Sequence, residues 1–210
     1  MSAPRPLSAA LLSGSELYRE VVLDKLVHAR ESVSIATANV KDMFIEQGGT
    51  FRSITEAFVM LAERGVRLRL LHAELPSRPF RKSFDRKQEL VRGGLDLKIC
   101  PRVHFKAVIV DGAWIYLGSA NLTGAGLGAK GDDKRNFELG FVTEDFDTID
   151  RATALFEAVW SGAECGTCKL FEVCPDPIGD GPPKKSKRRG KGKGGAGSLV
   201  QLGKARRFGR

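Results

Sequence analysis

His104 and Lys106 stand two positions apart at the head of a β-branched run, His-Phe-Lys-Ala-Val-Ile-Val, which reads as a strand over 104–110. Side chains two apart on a strand share a face, so His104 and Lys106 point one way while Phe105, Ala107 and Ile109 point the other. An imidazole beside an ammonium can attack phosphorus while the cation holds the same phosphate. Asp111-Gly112 then makes a tight turn, and the next strand, 114–117, runs into Gly118-Ser119-Ala120-Asn121. The small Gly118 lets the backbone come close to a ligand. Ser119 and Asn121 offer neutral hydrogen bonds that do not repel a dianion. Nucleophile, positive charge and oriented donors are the parts needed for displacement at phosphorus without a metal. His-x-Lys alone is an ordinary pair on a strand face; the whole set at fixed offsets is what carries the reading.

That set (His-x-Lys, four residues, Asp, six residues, Gly-Ser-x-Asn) resembles the HKD signature of the phospholipase D superfamily. The flanking Arg-Gly-Val-Arg-Leu-Arg-Leu-Leu and Asn136-Phe137-Glu138-Leu139-Gly140 agree with it, so the resemblance spans about residues 15–160. It implies an α/β/α sandwich with a mixed, largely parallel central sheet. It also implies roles. His104 forms a phosphohistidine, Lys106 and Asn121 hold the non-bridging oxygens, and Ser119 shares their pocket. Glu138 hydrogen-bonds the far ring nitrogen of His104 and fixes its tautomer, and Asp111 orients neighbouring groups. The family uses two such motifs, because a second His protonates the leaving oxygen and later activates water. This sequence has one: His28 lies in Val27-His28-Ala29, and His72 is followed by Ala73-Glu74. The resemblance therefore implies a homodimer in which His104 of each chain faces one phosphate, as in the small bacterial nuclease branch.

The elements that must position these residues are legible on either side. Leu17, Val21, Val22, Leu26 and Ala29 recur at helical spacing over 15–30, and Ser32 to Ala38 reads as a buried strand. Gly48-Gly49 breaks the chain before a helical pattern over 50–64. A strand over 66–71, an amphipathic helix over 79–92 and a strand over 95–100 follow. This rhythm predicts a parallel sheet flanked by helices. Three closely spaced strands (104–110, 114–117 and 137–142) and a helix over 145–160 complete a catalytic domain of residues 15–160, after an N-terminal extension of residues 1–14.

Cys165-x2-Cys168-x5-Cys174 marks a separate segment, 161–178, and Cys100 lies just before the HKD strand. Four cysteines without spares suit a four-thiolate metal site, either tetrahedral zinc or a [4Fe–4S] cluster. A distant Cys followed by this spacing resembles the iron–sulfur staple of an unrelated nuclease group on a different fold, which leans the reading towards iron–sulfur. The proposed chemistry needs no metal, so either group would be structural.

The net charge of +9 is unevenly placed. Of 34 Lys and Arg, 11 follow residue 180 with no acid among them, leaving 23 basic against 25 acidic side chains in residues 1–180. Residues 179–210 therefore read as a disordered polycationic tail on a near-neutral body, suited to phosphate-rich polymers. No apolar run is long enough to span a bilayer and no signal peptide is evident, so a cytoplasmic protein is expected. A nuclease acting on DNA or RNA is the favoured function. A phospholipase or phosphatidyltransferase is the first alternative, with Phe44-Ile45 or Pro79-Phe80 as its lipid-facing loop. A non-catalytic nucleic-acid-binding subunit of a larger defence or repair complex is the second.

Overall fold

The computed structural model describes residues 5–127 and 129–183. Its strands are β1 (Ala10–Ser13), β2 (Ser32–Thr37), β3 (Phe44–Gln47), β4 (Thr50–Ser53), β5 (Arg67–His72), β6 (Asp96–Ile99), β7 (Lys106–Val110), β8 (Trp114–Gly118) and β9 (Leu139–Thr143). The α-helices are α1 (Ile54–Glu63), α2 (Arg78–Asp85) and α3 (Phe146–Trp160), joined by a π-helical segment, Leu17–Lys25. Seven strands form one sheet in the order β1-β9-β8-β7-β2-β5-β6, and β3 pairs with β4 alone.

The sheet separates two apolar layers because its side chains alternate. Val33, Ile35, Leu68, Leu70, Val108, Val110 and Tyr116 face a core shared with Leu17, Val21, Val22 and Leu26 of the π-helical segment, Phe58 and Leu61 of α1, and Phe80 and Phe84 of α2. Ala36, Leu71 and Ala107, with Ile109 and Ile115, face the other side, where α3 lays Phe156 and Ile149 on them. Each fully buried Leu, Ile or Phe of these layers contributes about 1.5–3 kcal/mol. The helix starts are set by side chains. Ser53 accepts from Thr55 N at 3.2 Å, and Asp145 accepts from Thr148 N at 2.9 Å. Arg69 of β5 then ties α3 down, pairing with Glu157 at 2.7 Å and stacking over Phe156 and Trp160.

The α/β/α sandwich with a mixed central sheet is as expected, but among the named strands parallel pairing is confined to β2-β5-β6. The pairs β1–β9, β9–β8, β8–β7 and β7–β2 are antiparallel. The reason is loop length. The helical crossovers on either side of β5 return the chain in the same direction, whereas the three-residue turn over 111–113 between β7 and β8 reverses it. Part of the expected helix over 50–64 is strand: Gly48 and Gly49 both take positive φ and close a hairpin between β3 and β4, so α1 begins at Ile54. Residues 10–13 of the expected extension join the sheet at its edge as β1.

Candidate active site

One edge of the sheet collects the motif. Lys106 opens β7 opposite Gly118, which closes β8, and Gly118 in turn faces Gly140 of β9. Pairing of Ala36 with Ala107 brings Thr37, at the end of β2, to the same edge. His104 lies in the extended residues just before β7 and is exposed, while Lys106 is only 9% exposed. Lys106 Nζ donates to the carbonyl of His104 at 2.6 Å and stands 3.5 Å from its Nδ1. Beside an ammonium, Nδ1 can only accept, so the neutral ring carries its proton on Nε2.

Asn121 is held by its oxygen. Oδ1 accepts from the backbone N–H groups of Ala38 at 3.1 Å and Asn39 at 3.2 Å, with the Thr37 hydroxyl at 3.1 Å. Two backbone donors can be met only by an oxygen, which fixes the carboxamide's orientation and leaves Nδ2 without a partner among the described residues. Thr37, buried on β2, also accepts from Leu122 N at 3.0 Å. It thereby locks the turn after β8 onto β2, a role its place in an alternating strand did not reveal. Ser119 is exposed and donates to Glu138 Oε2, and its oxygen accepts from Leu139 N at 3.1 Å. The other Glu138 oxygen accepts from Asn136 Nδ2 at 3.2 Å. Glu138 therefore spends its hydrogen bonds on Ser119 and Asn136, and none reaches His104.

Two expectations change here. Gly118 does not leave room for a ligand: a Cβ on Gly118 would strike the phenol of Tyr116, and one on Gly140 would strike the same ring. Tyr116, fully buried, lies across both glycines and accepts from Ala120 N at 3.2 Å, supporting the Ser119–Asn121 turn from beneath. Burial, followed by the nearby charge of Glu138, outweighs that hydrogen bond and pushes its phenol up to about 12. Tyr two residues before Gly on one strand face was the available signal. Asp111 stands apart from the others, at the far end of β7. Its carboxylate accepts from the N–H groups of Arg30, Glu31 and Ser32 at 2.8–3.1 Å, pinning the start of β2. With φ at 54°, Asp111 takes the left-handed conformation that the turn demands. It is a scaffold residue with no contact to His104 or Lys106.

The family description "cardiolipin synthase, PLD-like domain" fits residues 22–160, more than half of the chain. This chain belongs to the phospholipase D-like family. Among solved structures it is similar to Nuc of Salmonella typhimurium, a phospholipase D family member, at 18% identity and TM-score 0.51, covering 73% of this chain and 95% of that one. NucT from Helicobacter pylori matches at 18% and 0.51, over 80% and 98%. Phosphatidylserine synthase from Haemophilus influenzae matches at 17% and 0.50, over 76% and 39%. At these identities the likeness shows the phospholipase D-like fold alone. No curated protein matches in sequence.

Of the other two histidines in this phospholipase D-like fold, His72 is the register partner of Thr37 across β2 and β5. His28 ends a short helical turn and lines a surface pocket beside Arg30 and Arg64. His72 is 2% exposed, donates to the Glu74 carbonyl at 2.8 Å, and is driven below its ordinary pKa by burial. The four cysteines, distant in sequence, come together. Cys100, Cys165, Cys168 and Cys174 line one small cavity with Ile99, Pro101, Arg102, Leu170, Phe171 and Ile178. All four are free of disulfides. Residues 184–210, which hold most of the expected basic tail, lie outside the described residues. Among the described residues no helix is long and apolar enough to cross a membrane.

Proposed function

We propose that the chain is a nuclease that hydrolyses DNA or RNA phosphodiesters through a phosphohistidine at His104, in an active site made by two copies. The observation that carries this is a half-site. An exposed His104 sits beside a buried Lys106, and a carboxamide held by three donors keeps its Nδ2 free. On binding, a phosphate draws Lys106 Nζ from the His104 carbonyl and takes a second donor from Asn121. The negative charge of the phosphate is then met by one cation and two neutral donors, Asn121 and Ser119. Release of Nδ1 lets the ring change tautomer, with Glu138 moving from Ser119 to accept the Nδ1 proton. Nε2 attacks phosphorus, the bond to the leaving oxygen breaks, and that oxygen takes a proton from His104 of the second chain. Water then attacks the phosphohistidine, giving its proton back to that second imidazole. Catalytic hydrogen bonds of this kind tighten only when substrate is present.

The second copy has a surface to meet. Phe137 and Leu139, on either side of Glu138, are 107% and 54% exposed, and Leu11, on the strand beside β9, is 68% exposed. This apolar rim next to the half-site is what a symmetric pair would cover. Of the side chains a lipid-facing loop would offer, Ile45 and Phe80 are both 0% exposed and belong to the core, whereas Phe44 is 59% exposed.

The test is cleavage of labelled single- and double-stranded DNA and RNA in excess EDTA by wild type and His104→Asn. Wild type should cut at least one substrate, and the variant should lose about three orders of magnitude or more. Headgroup release from vesicles by a folded dimer that leaves every nucleic acid intact would move the substrate to lipid. Tight nucleic-acid binding without turnover, equal in the variant, would favour a binding subunit.

A further inference from the structure

We propose that Cys100, Cys165, Cys168 and Cys174 bind a four-thiolate metal centre that staples the C-terminal segment to the loop carrying His104. The first ground is convergence. One cysteine directly follows β6 and three belong to a segment more than 60 residues later, yet all four line a single cavity. The rest of the lining is apolar apart from Arg102, whose guanidinium would offset the negative charge of a metal bound by four thiolates.

The second ground is what the segment lacks. The turns Cys165–Thr167 and Phe171–Val173 contain no buried residue, and Leu170 and Val173 are 41% and 76% exposed. Even so, the chain follows a closed course. Cys168 N donates to the Cys165 carbonyl at 3.1 Å and Cys174 N to the Phe171 carbonyl at 3.2 Å. Gly162 and Gly179 then pack back to back, so closely that a Cβ on Gly162 would meet Gly179 N at 2.5 Å. A loop with so little apolar burial cannot repay the entropy of being ordered, and a metal is the usual substitute for a core.

The spacing bears on which metal. Among the described residues no three His, Cys, Asp or Glu side chains already stand at the spacing of ligands to one ion, so a single zinc would need the four thiolates to draw together. Thiolates around a [4Fe–4S] cluster each bind a different iron and stand farther apart than those around zinc. In either case each thiol gives its proton to solvent as the metal–sulfur bond forms.

Cys100 links the centre to the active site. Its N–H donates to the His72 carbonyl at 2.8 Å, and Val103 N closes a turn onto the Cys100 carbonyl at 2.9 Å, immediately before His104. Ligation of Cys100 therefore fixes the residue from which the His104 loop departs. The centre itself does not depend on the nuclease reading.

The full chain, expressed and purified without oxygen, is assayed for iron, acid-labile sulfide and zinc beside Cys168→Ser, Cys174→Ser and His104→Asn. Wild type and His104→Asn should carry either about four iron and four sulfide per chain, with visible absorption bleached by dithionite, or about one zinc. Each Cys→Ser variant should hold at least about tenfold less. Amides of residues 103–105 should exchange about tenfold faster in metal-stripped protein than in loaded protein. A folded wild type that takes up neither iron with sulfide nor zinc would overturn the proposal. So would metal content unchanged in both Cys→Ser variants.

Discussion

The two ends of β7 carry polar residues of one sequence motif, and they are built in opposite ways. At the Asp111 end, the carboxylate is engaged by three successive backbone N–H groups at 2.8–3.0 Å. At the other end, roughly 17 Å away by strand rise, a buried Lys106 donates to the His104 carbonyl and Asn121 is held by its oxygen with Nδ2 in reserve, both beside an exposed His104. A satisfied group stabilises; a group held in place with spare hydrogen bonds can act on something else. The spacing of the motif thus records two requirements at once, a turn that sets the register of β7 against β2 and a head that presents the chemistry.

Substitutions at the two ends should separate activity from stability. Lys106→Met removes the cation from the half-site while keeping the aliphatic stem. Cleavage should fall about 10²–10³-fold. The thermal midpoint should hold or rise, because a mostly buried charge is replaced by an apolar group. Single-turnover cleavage and a melt on the same preparation read both. Asp111→Ala should do the reverse. Three backbone N–H groups lose their acceptor, so unfolding free energy should drop by about 2–3 kcal/mol. Cleavage well below the melt should stay within about threefold of wild type. If Asp111→Ala instead abolished cleavage at unchanged stability, the contrast between the two ends would be wrong.

The chemistry-bearing half of this contrast was readable because it depends on local parity. Two residues apart on a strand is enough to place His104 and Lys106 together, and the apolar partners Phe105, Ala107 and Ile109 confirm the face. The Asp-Gly turn was local too. What the residues did not reveal depends on pairs far apart in the chain. The clamp from Thr37 to Asn121 joins positions 84 residues apart, and Asp111 reaches Arg30 across 81. β1 is short and pairs only because β9 offers an open edge, so its own four residues hold no signal. The β3–β4 hairpin was hidden for another reason: Thr50–Ser53 continues smoothly into a helical pattern, and only the positive φ of both glycines turns it back. Gly118 was noticed, but its purpose lay in the buried phenol above it.

The smallest expected effect sharpens the comparison from the Asp111 side. Asp111→Asn keeps an acceptor oxygen and removes the charge. In the folded wild type, partial burial pushes the Asp111 carboxyl up, but donation from Ser32, Glu31 and Arg30 outweighs it and holds the group below its ordinary value. A carboxyl whose pKa is lower folded than unfolded binds fewer protons in the folded state. Its contribution to stability is therefore complete above the unfolded value near 3.9 and is lost as pH falls through the folded one. Urea midpoints measured from about pH 5 to about pH 2 should fall more steeply for wild type than for Asp111→Asn, with the two curves closing on each other at the acid end. Asp145, held far down first by Arg5, steepens both curves alike and cancels in the difference. Asp42, raised by burial, likewise cancels. A flat difference would mean that the three N–H groups are held by the carbonyl geometry alone, and that charge adds nothing at this end of β7.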